Sequence, residues 1–356
     1  MKKLGIICVA LMLTSSFAFS QAQPVGFSNT VYTDFGTASL NGPFTYGDPS
    51  ISHNGFIDHF TANIHTNKVN ISGDITWKFL DDFKLQAQCI GHNFNGTITP
   101  AKGFDIGFGT NLDWQVGPKP FSGPAYSAYE VPYYAGLGAL GSWNEVGYVK
   151  NYFAQNSIAI RYSYQDVISL GAGLNDDTTK ALGVWVNIDN LATVGFAYNG
   201  SFKKTNNNYY FGSQLFLNAL NIDLWLNLAQ DYNTTFGSRF EFYSPTKTFY
   251  FAPEFSVTTW EENNKGLSMY LAFLGEMSLS EKVLAGLNAS LGLGSDPDTE
   301  NDSIDGARRL NINPHLVWNL NDTNRLAVGV NLIQVWRQND TSDFYWNIPI
   351  SWTVNF

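Results

Sequence analysis

From Phe344 to Phe356 every second residue is large and apolar: Phe344, Trp346, Ile348, Ile350, Trp352, Val354 and Phe356. Tyr345, Asn347, Pro349, Ser351, Thr353 and Asn355 stand between them. Successive side chains of a strand point to opposite faces, so a strict period of two describes one strand with an apolar face and a polar face. The same alternation recurs upstream. Leu310, Ile312, Pro314, Leu316 and Trp318 alternate with Arg309, Asn311, Asn313, His315 and Val317. Ile222, Leu224, Leu226 and Leu228 alternate with Asp223, Trp225, Asn227 and Ala229, and Val69 to Phe79 follows the same rule. The polar faces carry Asn, Ser, Gly and Thr. A soluble sandwich also alternates, so the surroundings of these strands decide between the two readings.

Charged residues make up 14% of the 356-residue chain and aromatics 15%. The first value is well under the roughly 25% of an ordinary soluble domain. No internal stretch approaches the roughly 18 apolar residues of a spanning helix, so a membrane span here must be made of strands. At the N-terminus, Lys2 and Lys3 precede the apolar run Leu4 to Leu13, and Ala18-Phe19-Ser20 has the small-x-small form of a cleavage site. Residues 1–20 are therefore expected to be a cleaved signal peptide, with cleavage after Ala22 as the alternative. Export removes Cys8 and leaves Cys89 alone, so no intramolecular disulfide is expected in the mature chain. The net charge of −10 becomes about two units more negative when the two lysines leave. An acidic, aromatic, exported chain argues against nucleic acid as a partner.

A last strand that ends in Trp352-Thr353-Val354-Asn355-Phe356 resembles the terminal strand by which bacterial outer-membrane β-barrels are recognised for assembly. The resemblance covers this strand and, more loosely, the repeated hairpins. It implies an all-β fold, an antiparallel up-and-down transmembrane barrel of roughly 16 to 18 strands, an even number being required of one bacterial chain. Trp352, Val354 and Phe356 become the assembly signal, and the outer membrane the expected location. Outer-membrane lipid, the barrel-assembly machinery and small polar solutes are the partners it implies, with a homo-oligomer allowed. Residues 55–356 are read as the barrel and 21–54 as an N-terminal segment without an assigned role. Residues 117–130 fit no short turn. Counting back from a periplasmic C-terminus puts turns near Asn321, Ser280, Pro245, Leu220, Asp189 and Gln165 inside, and the acidic segment 295–308 outside.

The chemistry-bearing residues point to a pore rather than a catalyst. CxxC, HExxH, GxSxG and P-loop patterns are absent from the sequence. His53, His59 and His65 are six residues apart, about 20 Å along a strand, too far for one zinc ion. No cofactor and no enzyme activity are expected. Charges at predicted inward positions are Asp74, Lys78, Asp113, Arg161, Asp223, Arg239, Glu241, Glu254, Glu276 and Arg309. Each would cost up to a few kcal/mol on the lipid face near mid-bilayer, so a wet interior is the expected place for them. They line a pore, or else pair into a network that fills a narrower lumen. His92 and His315 are expected in the lumen as well. Trp185 and Trp225 are read as space-filling, with sugar stacking as the alternative. The expectation is a passive channel for small hydrophilic solutes with mild cation preference. The rivals are a substrate-specific channel, for sugars for example, and a plugged barrel that binds ligands through its loops.

Overall fold

The computed structural model describes residues 25–36, 52–81, 84–110, 157–174, 179–202, 207–230, 233–244, 246, 248–260, 267–293, 308–336 and 342–356. The expected signal peptide, Asp113, residues 117–130 and most of the acidic segment 295–308 lie outside them. The described residues form strands joined by turns, with no helix. In chain order these are β1 (Val25–Gly36), β2 (Ser52–His65), β3 (Val69–Asp81), β4 (Lys84–Ala101), β5 (Phe104–Gly109), β6 (Ser157–Tyr164) and β7 (Ile168–Leu174). Then follow β8 (Lys180–Ile188), β9 (Ala192–Gly200), β10 (Asn208–Leu217), β11 (Leu220–Ala229), β12 (Asn233–Tyr243) and β13 (Phe249–Trp260). The last are β14 (Leu267–Ser278), β15 (Val283–Leu293), β16 (Arg308–Asn321), β17 (Asn324–Gly329), β18 (Asn331–Trp336) and β19 (Ser342–Asn355). The strands pair antiparallel in chain order, and β1 pairs with both β2 and β19, which closes the sheet on itself. Closure leaves no open edge, and in lipid every backbone group must be bonded internally.

β17 and β18 both pair with β16 and with β19, so they are two halves of one crossing strand interrupted at Val330, and the barrel has 18 crossings. The interruption has a local cause on the neighbouring strand. Val330 N–H donates to the Pro314 carbonyl at 3.0 Å, but Pro314 has no N–H to return. The Asn313 side-chain amide donates to the Val330 carbonyl instead, at 3.3 Å. A side chain thus completes a ladder that proline cannot.

Within the stretch 21–54, Val25–Gly36 is the closing strand. The closure is locked at its lower end, where Phe27 N–H donates to the Phe356 carbonyl at 2.9 Å and Phe356 N–H to that of Phe27 at 3.0 Å. Short connections gather at this end: 65–69, 101–104, 164–168, 188–192, 217–220, 243–249, 278–283 and 321–324. Gln165-Asp166 and Asp189-Asn190 all have positive φ, the two-residue turn whose twist matches that of the strands it joins. β15 ends and β16 begins at the opposite end, as the alternation predicts.

Burial is inverted relative to a water-soluble sandwich. Leu316 is 45% exposed and Phe236 48%, while their strand neighbours Val317 and Thr235 are 0% exposed. Asn313 and Thr258 are buried to the same degree. Apolar residues such as Leu170, Leu182, Leu271 and Trp352 form the outer belt, and polar ones turn inward. Such a surface is stable only against hydrocarbon.

Candidate functional site

The inward faces of β11 to β16 hold the densest set of charges. Side chains there are fixed by register. Asp223 on β11 stands opposite Arg239 on β12, and Arg239 opposite Glu254 on β13. Tyr250 on β13 faces Glu276 on β14, and Glu276 faces Gly286, which in turn faces His315 on β16. Arg239 Nη2 contacts Glu241 Oε1 at 2.9 Å and donates to the Tyr250 hydroxyl at 3.0 Å. The Tyr250 hydroxyl donates to Glu241 Oε1 at 2.8 Å, and Tyr243 to Glu241 Oε2 at 3.1 Å. The Asn221 amide reaches the same Oε2 at 3.4 Å. Glu241 is thus surrounded by donors, and its charge is shared with one arginine.

Three further acids on this wall are buried: Asp223, Glu254 and Glu276. Glu254 Oε2 and both Glu276 carboxylate oxygens accept no hydrogen bond among the described residues. His315 Nε2 lies 3.9 Å from Glu276 Oε1. The His315 ring covers Gly286, where a Cβ would overlap it, and Nδ1 sits 3.1 Å from Asn313 Oδ1. Asn313 reaches across to Asn331 Oδ1 at 2.6 Å. Trp225 covers Gly237 in the same manner and is 3% exposed, so it fills space against the wall.

A smaller set lies on the opposite run of strands. Arg161 on β6 donates through Nε to Asp105 Oδ2 on β5 at 2.9 Å, with Nη2 at 2.6 Å from the same atom. Asp105 also accepts from the Thr99 hydroxyl at 2.6 Å. Asp74 accepts from the Asn93 amide at 3.1 Å and lies 3.4 Å from His59 Nε2. Lys78 pairs in register with Ile57 and Gln88. Arg309 takes its place in the ladder opposite Gly292 and Val335.

Of the candidate residues, the structure brings Asp223, Arg239, Glu241, Glu254 and Glu276 together and sets Asp74 and Arg161 apart from them. Asp113 lies outside the described residues. His315 is inward, as expected, whereas His92 is not. The phase of β4 is set by Phe94 and Ile98, both exposed outward, and His92 falls on their face, opposite Ile75. Its polar side chain does not mark the lumen. Asp105 is not singled out by the sequence, and for Asn313 the alternation gives the polar face but not its bonds to Val330 and Asn331. Asp105 sits 56 residues from the arginine it binds, and no local pattern connects them.

The fold has solved counterparts. Pseudomonas aeruginosa OccK5 (OpdH) superposes with a TM-score of 0.54 at 10% identity, over 93% of this chain and 98% of that one. The outer membrane protein OpdK from Pseudomonas aeruginosa gives 0.56 at 8% identity, over 93% and 99%. Pseudomonas aeruginosa OpdL gives 0.55 at 9%, over 94% and 99%. The fold is that of a bacterial outer-membrane β-barrel. Neither a protein-family model nor a curated protein sequence matches the chain. The terminal Trp352-x-Val354-x-Phe356 strand of this barrel is β19, and its partner on one side is β1.

Proposed function

We propose that the chain is an outer-membrane channel for passive diffusion of small hydrophilic solutes, mildly cation-preferring, rather than an enzyme. The observation that carries this reading is the sorting of charge in a closed barrel: the outward side chains are mostly apolar, and a cluster of acids with one arginine turns inward on β11 to β14. On β11 to β14 the inward acids Asp223, Glu241, Glu254 and Glu276 face Arg239, the one base there among the described residues. Such a surplus raises the local concentration of cations, and salt weakens it as the Debye length falls from about 10 Å at 0.1 M to about 3 Å at 1 M.

Near-complete burial of Glu254, Glu276 and His315 favours a second reading, a substrate-specific channel whose lumen is narrowed by its own side chains. Swelling of proteoliposomes in a series of sugars and amino acids of rising size separates the two. A general channel gives rates that fall smoothly with solute size and do not saturate. A specific one gives saturable uptake of one chemical class. No swelling with any solute removes both readings and leaves the plugged barrel.

A further inference from the structure

Glu276 on β14 and His315 on β16 are separated in the sheet by Gly286 on β15, which pairs with both. The two residues are 3% and 4% exposed, and neither Glu276 oxygen accepts a hydrogen bond among the described residues. Tyr250, opposite Glu276 in register, brings no relief, because its hydroxyl gives its proton to Glu241 Oε1 at 2.8 Å. Asn288 lies two residues beyond Gly286 on the same face of β15, diagonal to both Glu276 and His315. It is 4% exposed, and its Oδ1 accepts no hydrogen bond among the described residues either. Three buried acceptor oxygens thus occupy neighbouring positions of one wall. Leaving a buried carboxylate without a donor is costly.

The hydrogen bonds behind the histidine fix where its ring carries a proton. The Asn313 amide donates to the Val330 carbonyl at 3.3 Å and to Asn331 Oδ1 at 2.6 Å. Both of its N–H groups are committed, so Asn313 Oδ1 faces His315 Nδ1 as an acceptor, at 3.1 Å, with the Asn313 carbonyl 3.3 Å from the same nitrogen. The proton therefore sits on Nδ1, and the neutral ring has its lone pair at Nε2, 3.9 Å from Glu276 Oε1. A lone pair beside a carboxylate oxygen is repulsive. A second proton on Nε2 does not cure this, because 3.9 Å is too long for a hydrogen bond. Two donors each about 2.1 Å from one zinc-like ion stand about 3.4 Å apart at the tetrahedral angle and further apart at wider angles. The observed spacing is therefore that of two ligands flanking one ion. An imidazole whose other nitrogen donates to an acceptor is also oriented as metal-binding histidines are. Gly286 completes the cradle: a Cβ there would overlap Nε2, so only glycine lets the ring cross β15 towards the acid.

We propose that Glu276, Asn288 and His315 bind a divalent transition-metal ion in the barrel wall. The imidazole sets the class of ion. Carboxylate and amide oxygens alone suit calcium or magnesium, whereas an added imidazole nitrogen favours zinc and its first-row neighbours. Glu276 offers two oxygens, which with Nε2 and Asn288 Oδ1 brings the donors to four. No group of three or more His, Cys, Asp or Glu side chains able to hold an ion gathers among the described residues, and the third side chain here is an amide. The ion supplies the charge that Glu276 otherwise lacks and ties β14 to β16 across β15. Burial suits this role, since structural metal sites are closed. The site is independent of what passes through the lumen.

The test is calorimetric titration of the whole refolded protein, stripped with a chelator, with zinc chloride and separately with calcium chloride. Zinc should bind at one ion per chain, and calcium should give no binding heat. Glu276→Gln and His315→Gln should each weaken zinc binding by about tenfold or more. Gly286→Ala keeps every donor but displaces the ring, and should weaken binding as well. Heat-modifiable mobility verifies that each variant is folded, and His315→Gln decides the matter should Glu276→Gln fold poorly. Zinc should also raise the urea midpoint of the wild type in lipid vesicles and leave that of His315→Gln unchanged. The rival position is His59, 3.4 Å from Asp74, and His59→Gln should leave zinc binding intact. No zinc binding by the folded wild type would overturn the proposal and leave water or a proton between Glu276 and His315. Binding indifferent to both glutamine variants, or lost with His59→Gln, would overturn it too. So would calcium bound in place of zinc.

Discussion

Asn313 illustrates how much of this barrel rests on single inward side chains. Its amide bonds the Val330 carbonyl that Pro314 leaves without a donor, and also Asn331 Oδ1. Asn313→Ala should destabilise the barrel by about 1–3 kcal/mol, the cost of stranding a buried acceptor, read as a lower urea midpoint in lipid vesicles. A midpoint equal to wild type would show that the broken strand needs no such support. Arg239 is the larger case. It neutralises Glu241 at 2.9 Å amid Asp223 and Glu254, so Arg239→Met leaves buried acids uncompensated. A loss of about 3–5 kcal/mol is expected by the same measurement. Replacement of Glu241 and Glu254 together in the same variant should recover part of it, because the stranded charges go as well.

At the scale of the strand, the last element carries the clearest prediction. Deletion of Phe356, or its replacement by Asp, should lower the yield of heat-modifiable barrel in the outer membrane while export continues. Two features motivate this: the terminal-strand resemblance, and the paired hydrogen bonds of Phe356 with Phe27 that close β1 on the barrel. Undiminished yield would remove the assembly role of the terminal strand. Orientation is checked by tags. One inserted within 295–308 should be labelled on intact cells, and one at Ser280-Glu281 only after permeabilisation. How far these elements could be read in advance follows from their composition. β11, β16 and β19 alternate bulky apolar with small polar residues, so both strand and face are legible. β1 is harder to read, because Asn29 occupies an outward position between Phe27 and Val31 and blurs the alternation. The break in β17 and β18 is illegible locally, since its cause, Pro314, lies on another strand. His92 shows a related limit: polarity marks the lumen only where the outer surface is uniformly apolar, and on β4 this histidine stands on the outer face with Phe94 and Ile98. Pairings such as Arg161 with Asp105 depend on register across long connections, which alternation alone does not supply.

The whole molecule is an 18-crossing barrel whose interior is polar and, on the wall of β11 to β14, acidic. Its densest lumen charges come from four consecutive strands set side by side by their register, so the field they create belongs to that wall and not to any single strand. Neutralising Glu241 and Glu254 should reduce cation preference more than neutralising Asp296, Asp298 and Glu300 if the wall of β12 and β13 sets that field. The most direct test is the purified, refolded protein in a planar lipid bilayer under a salt gradient. The account predicts discrete conductance steps. It also predicts a reversal potential of cation-selective sign near 0.1 M salt, shrinking towards zero near 1 M as screening shortens the field's reach from about 10 Å to about 3 Å. A reversal potential of anion-selective sign would show that the inward Arg161 and Arg239 outweigh the acids in setting the lumen field. A bilayer that stays silent after verified insertion would contradict the channel itself.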